Sequence, residues 1–141
     1  MDPADFLKLA RRLLDSTEQA ELRTSVSRSY YAVFHVLLQA LSSKGIRFKR
    51  TVEDHPLLAH YLAASGDART QKLGVTLNSL RVERNAADYE LHQPTTEVKT
   101  RLAYVAAEKA FASIGSIPAA DLNRIVAAIN SAPPYVARPR I

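Results

Sequence analysis

The residues best equipped for chemistry lie in Arg81-Val-Glu-Arg84-Asn85-Ala-Ala-Asp88-Tyr89-Glu-Leu-His92, which gathers cations, carboxylates, a phenol and an imidazole in one short stretch. A guanidinium keeps its charge throughout the physiological range and its planar fork matches phosphate or carboxylate, while an imidazole carries a proton near neutrality. Such a set forms a polar constellation whose charges and donors need partners within the fold. Its spacing is helical. Leu73, Leu77 and Leu80 step by four and three as an apolar face does, and the register continues through Arg84, Ala87 and Leu91. Arg84 thus stands where an aliphatic residue is expected, and a charge there must be paired, hydrated in a cleft or held at an interface. Asp88 follows one turn later as an ion-pair partner, and Arg81, Asn85, Asp88 and His92 form an adjoining polar stripe. On a continuous helix His92 is rotated about 80° from Arg84 and lies about 12 Å further along the axis.

A second constellation is Ser27-Arg28-Ser-Tyr30-Tyr31-Ala-Val-Phe34-His35. Arg28 and His35 share a face about 10 Å apart along a helix, beside Tyr31, with apolar positions on both sides of Arg28. If this helix packs beside that of Arg84, Arg28 or His35 meets Asp88 or Tyr89 in a polar cluster inside the fold, where such clusters are costly and often functional. The third feature is a loop in which Lys44, Arg47, Lys49 and Arg50 crowd around Phe48. It reads as a solvated loop or as a contact for a phosphate backbone. His55 and His60 are five apart and lack a third ligand, so no metal site is expected. No glycine-rich phosphate loop, nucleophile elbow or paired-histidine metal motif occurs, and no cofactor is expected.

The elements that must position these residues are helices. Only four glycines are present, β-branched alternation is absent, and alanine and leucine dominate, so the chain reads as all-α. At 141 residues it is one domain, able to bury roughly two thirds of its unfolded surface. Without cysteine, disulfides and thiolate metal sites are excluded. No apolar run approaches the ~20 residues of a membrane span, and Met1-Asp2-Pro3-Ala4-Asp5 is acidic where a signal peptide is basic. A cytoplasmic protein without membrane contact is expected. The net charge of +5 suits a polyanionic partner without requiring one.

Asp2-Pro3 opens a first helix that should end near Asp15. Ser16 to Gln19 has capping-box spacing and opens a second helix, apolar on two rows and therefore central: Leu22, Val26, Tyr30, Val33, Leu37 and Leu41, then Ser27, Tyr31, Phe34 and Leu38. A third helix runs from Pro56 to about Ser65 with Leu57, Leu58, Tyr61 and Leu62 inward. Asp67 caps the fourth, which carries the Arg84 stretch, and Pro94-Thr-Thr-Glu97 stops it and starts the fifth. Val98, Leu102, Val105, Ala106, Ala110 and Phe111 mark the fifth helix's buried side, Gly115 breaks it, and Pro118 opens a last helix with Leu122, Ile125, Val126 and Ile129. Residues 1–130 form the domain; 131–141, with Pro133, Pro134, Arg138, Pro139 and Arg140, read as a flexible tail.

Ser27-Arg-Ser-Tyr-Tyr-Ala-Val-Phe-His35, a basic loop, and Arg84-Asn-Ala-Ala-Asp-Tyr89 together resemble the HEPN superfamily (higher eukaryotes and prokaryotes nucleotide-binding), in particular its small stand-alone prokaryotic branch with an Arg-Asn-x-x-Asp-Tyr motif. The similarity covers roughly residues 5 to 115. It implies an up-and-down helical bundle of four to six helices that commonly dimerises. Many such proteins are metal-independent ribonucleases acting as toxins or defence components, in which an arginine and a histidine separated from it by four to six residues meet their copies across a dimer. The histidine helps the ribose 2′-hydroxyl attack the phosphate, and the arginine holds that phosphate. Carried over, Arg84 matches the arginine and Asn85 the polar residue after it, whereas the histidine positions hold Tyr89, Glu90 and Leu91, one short of His92.

The resemblance therefore leads to expectation of a homodimeric endoribonuclease or toxin. Arg84, His92, Asp88, Tyr89 and His35 are its catalytic candidates; Arg28, Arg81, Asn85, Lys44, Arg47, Lys49 and Arg50 are its nucleic-acid contacts. RNA or a nucleotide, a nucleotidyltransferase and an antitoxin are the partners implied. The alternatives are a non-catalytic nucleotide- or RNA-binding module, or one that docks a nucleotidyltransferase able to modify Tyr89, and a purely structural helical dimer.

Overall fold

A computed structural model describes residues 1–137, so the tail residues Arg138 to Ile141 lie outside the described residues. Six helices make up the described chain: α1 (Pro3–Arg12), α2 (Gln19–Ser42), α3 (Asp54–Ala63), α4 (Ala68–Tyr89), α5 (Glu97–Gly115) and α6 (Ala119–Ser131). None of them is long and apolar enough to cross a membrane. They form the all-α bundle expected, with α2 at its centre packed on α1, α4 and α5, and α3 packed on α4.

The starts of α1, α4 and α5 are capped as the sequence suggests. Asp2 accepts from the Ala4 amide at 2.9 Å, Asp67 from the Thr70 amide at 3.0 Å and Thr96 from the Lys99 amide at 3.1 Å. α2 begins differently. Ser16 Oγ turns back to accept from the Glu18 amide at 3.0 Å, and Gln19 uses its side-chain amide elsewhere, donating to the Thr95 carbonyl at 2.8 Å and accepting from the Thr95 amide at 2.9 Å. The expected capping box is not made because Gln19 is recruited to the turn between α4 and α5.

The core is built from Val26, Tyr30, Val33, Phe34, Leu37 and Leu41 of α2 with Leu58 and Leu62 of α3, Leu73, Leu77 and Leu80 of α4, and Ile125, Val126 and Ile129 of α6. Fully burying a residue such as Leu58 or Leu62 contributes roughly 1.5–3 kcal/mol. α3 approaches α4 closely at Gly74, where an added Cβ would sit 3.2 Å from Leu62 Cβ. Ser25 Oγ, buried under α1, donates to the Ala10 carbonyl at 2.7 Å and joins α1 to α2.

Two registers differ from the sequence pattern. In α5 the buried residues are Thr100, Ala103, Tyr104, Ala107, Ala110 and Ile114, while Val98, Leu102 and Val105 are exposed. Two rows on α5 step by four and three, Val98, Leu102 and Val105 on one and Ala103, Ala107 and Ala110 on another, one or two positions apart. Volume favours the large set, but the crowded aromatic and leucine surface of α2 admits the small one. The second difference is the end of α4. The helix stops at Tyr89, so Leu91 is exposed and the polar stripe does not run on to His92.

What ends α4 is Arg23 of α2. Its Nη1 donates to the Ala87 carbonyl at 2.8 Å and its Nη2 to the Gln93 carbonyl at 2.5 Å, with the Glu90 and Leu91 carbonyls at 3.3 and 3.4 Å. One guanidinium thus satisfies carbonyls that the helix leaves open. Replacing Arg23 by alanine is expected to lower stability by about 1–3 kcal/mol, the usual cost of orphaning carbonyls paired to a charged donor. Urea unfolding should show a lower midpoint at unchanged slope.

Candidate functional site

Tyr31 is the centre of the polar cluster. Packing of α2 against α4 brings its hydroxyl to Arg84 Nη2, which donates to it, and its ring lies 5.1 Å from the Arg84 guanidinium. On its own helix, one turn earlier, the Arg28 guanidinium lies 5.0 Å from the same ring and 5.3 Å from that of Phe6 in α1. Two cations therefore flank one phenol, each drawn to the negative face of an aromatic ring.

The compensation for these charges is uneven. Arg84 Nε lies 3.2 Å from Asp88 Oδ2, the i,i+4 ion pair expected, although the angle gives Nε no directed hydrogen bond; Nη1 donates to Asn85 Oδ1 at 2.6 Å. The Arg84 side chain is only 16% exposed. Arg28 has no carboxylate partner among the described residues. It gives a 3.2 Å bond from Nη2 to Ser27 Oγ, and its Nε is buried without an acceptor. Arg81, half-buried on α4, adds a third positive charge near Tyr30 and His55.

Two histidines border this cluster. His35 stacks on Phe6 at 5.4 Å and on Tyr31 at 6.0 Å, and burial followed by the charge of Arg28 lowers its pKa. His55, at the start of α3, stacks on Phe34 at 4.3 Å and hydrogen-bonds Tyr30 through Nδ1. Burial, then Arg81 and Arg84, push His55 down to about 4, while burial pushes the Tyr30 phenol up to about 12. Tyr30 consequently keeps its proton and donates, His55 accepts at Nδ1, and the ring proton stays on Nε2. The lone pair that a general base would need on His55 is already engaged.

Beside these rings opens a groove of about 710 Å³, lined by Tyr31, Phe34, His35, Gln39, Arg50 and His55 among others. Arg50 is held at its wall by an unusual loop. The buried Asp54 carboxylate accepts from the Lys49 amide at 2.8 Å and the Arg50 amide at 2.7 Å, and Arg50 takes the left-handed φ of 58°. That conformation costs a non-glycine residue about 1–2 kcal/mol, so Asp54 must hold it.

The candidates from the sequence thus separate. Arg28, His35, Arg81, Arg84, Asn85 and Asp88 come together around Tyr31 and Tyr30. Tyr89 is 74% exposed at the end of α4, and His92 is exposed in the turn pinned by Arg23. Of the basic loop, Lys44 is exposed, Arg50 faces the groove, and Arg47 and Lys49 line a different cavity. The sequence marks His55 only as a metal ligand to be excluded, and Tyr31 only as a motif residue on an apolar row of α2. Tyr31 had a signal, being three residues after Arg28 and four before His35; His55 had none, since its place depends on how α3 docks.

The chain matches the family model of the HEPN domain over residues 4–115, and no curated protein or solved structure matches it. A match over most of the chain shows that it belongs to the HEPN family.

The lowered His55 pKa has a consequence for stability. Above pH 6.5 imidazole is neutral in both states; as pH falls from 6.5 towards about 4 the unfolded chain takes up a proton that folded His55 resists, so stability drops. The loss is complete below 4 and amounts to at most roughly 3 kcal/mol. His55→Phe keeps the stack on Phe34 and removes this titration. Its melting temperature should fall less than the wild type's between pH 6.5 and 4.5, a window above the lowered pKa values of Asp67 and Asp121. Equal slopes would contradict the assignment.

Proposed function

We propose that this chain binds phosphate-bearing nucleic acid or nucleotide, RNA being the class its family most often handles, at the cluster formed by Arg28, Arg84 and Tyr31, and that it does so as a dimer. The observation that carries this is the unmatched charge. Two guanidiniums stacked on one ring share a single carboxylate, and Arg28 Nε is buried with no acceptor. A phosphate held at the terminal guanidinium nitrogens supplies the missing negative charge. Arg50 at the groove wall extends the cationic path.

A cleavage role is the second reading, and His35 favours it. Its ring nitrogens make no hydrogen bond in the described structure, and its lowered pKa keeps it neutral at pH 7, as a base must be. In that reaction the 2′-oxygen passes its proton to His35 and bonds to phosphorus, the 5′-oxygen leaves with a proton, and an arginine holds the phosphate's charge. His92, exposed in the α4–α5 turn, takes no part.

Arg28→Ala and Arg84→Gln should each weaken binding of a short single-stranded RNA tenfold or more and flatten the dependence of log affinity on log salt by about 0.7 per lost phosphate contact. His92→Ala should leave both unchanged. Retained affinity in folded Arg28→Ala and Arg84→Gln would sink the binding reading. For cleavage, RNA incubated in chelator should yield 2′,3′-cyclic phosphate ends with the wild type and none with His35→Asn; intact RNA throughout leaves binding alone.

A further inference from the structure

On the other side of the basic loop lies a second cavity, of about 600 Å³, that the Arg84 cluster does not use. Three segments enclose it: the loop after α2, the middle of α3, and the stretch following α6. The last is held down by His60, whose Nε2 lies 3.1 Å from the Pro133 carbonyl and so donates to it, and whose ring packs on Tyr135 at 5.5 Å. Phe48 and Tyr61 meet edge to face at 5.8 Å on the opposite wall. Three aromatic rings, Phe48, Tyr61 and Tyr135, thus share the lining with the cations Arg47 and Lys49, the Glu53 carboxylate paired to Lys49, and the amide of Asn130.

We infer that this cavity is a nucleotide subsite, taking one base against Tyr61 and Tyr135 and its phosphate on Arg47 and Lys49. The volume falls in the range of roughly 300–1,000 Å³ typical of small-molecule sites. Flat aromatic walls beside cations are what a base and its phosphate require, since every base offers a π-face and every phosphate a charge. Arg47 makes no ion pair among the described residues, and Lys49, paired with Glu53 at 2.7 Å, remains 67% exposed. An apolar ligand would leave Arg47 without a counter-charge, and a bare anion would leave the rings idle. Asn130 supplies the donor and acceptor pair that a base edge matches. The site stands apart from the Arg84 cluster, so neither inference needs the other.

The test exploits the absence of tryptophan from the chain. Tyr135→Trp introduces a single reporter, and adenosine monophosphate should quench its emission by stacking, whereas inorganic phosphate at the same concentration should not. In that background Tyr61→Leu and Arg47→Ala should each raise the dissociation constant about tenfold, and Arg84→Gln should not change it. Calorimetric titration of Arg84→Gln, alone and combined with Arg47→Ala, with the same nucleotide checks the result without the reporter and without the first site. A quench reproduced by phosphate alone would mean an adventitious ion only. No heat and no quench at millimolar nucleotide, or equal affinity in Arg47→Ala, which alters only an exposed loop residue, would overturn the assignment.

Discussion

The need to accommodate an arginine where a helix face calls for an aliphatic side chain organises this protein. Arg84 is largely withdrawn from water, and a guanidinium cannot shed its charge to make that easier. Tyr31 answers with a hydroxyl that accepts from it and a ring that lies against it, and Asp88 supplies the charge. Because Tyr31 belongs to α2, satisfying Arg84 also fixes how α2 and α4 pack. The same ring meets Arg28, which brings a second cation to the spot without a second carboxylate. The interior therefore retains a positive surplus that a structural role alone leaves unexplained.

Aromatic rings are the means by which the surplus is tolerated. Phe6, Tyr30, Tyr31, Phe34, His35 and His55 form a continuous set of contacts between α1, α2 and α3. Both imidazoles belong to it as uncharged rings, since burial and the nearby arginines disfavour protonation. Adding a proton to either would set another cation beside those present. The cluster thus carries a positive surplus and is set against a further positive charge.

Much of this was legible in the sequence, and the parts that were not share a cause. Helix count, the caps at Asp2, Asp67 and Thr96, and the Arg84–Asp88 pair all depend on residues a few positions apart. The end of α4 does not. Pro94 is the visible stop, yet the helix finishes at Tyr89 because Arg23, more than sixty residues earlier, holds the carbonyls there. His55 joins the aromatic set through the tertiary docking of α3, which stacks it on Phe34 of α2, and no local spacing encodes that. The buried side of α5 differs from its larger apolar row, Ala110 apart, because side-chain size does not dictate burial where the surface of α2 accepts alanines.

That alanine seam sets the direction in which this sequence can drift. With Ala103, Ala107 and Ala110 turned to the core, even one added methylene forces backbones apart and costs about 1–3 kcal/mol. Val98, Leu102 and Val105 of the same helix stand in solvent and carry no such penalty. Over evolutionary time α5 should hold its alanines fixed and let these three larger side chains wander, inverting the habit of most buried helices.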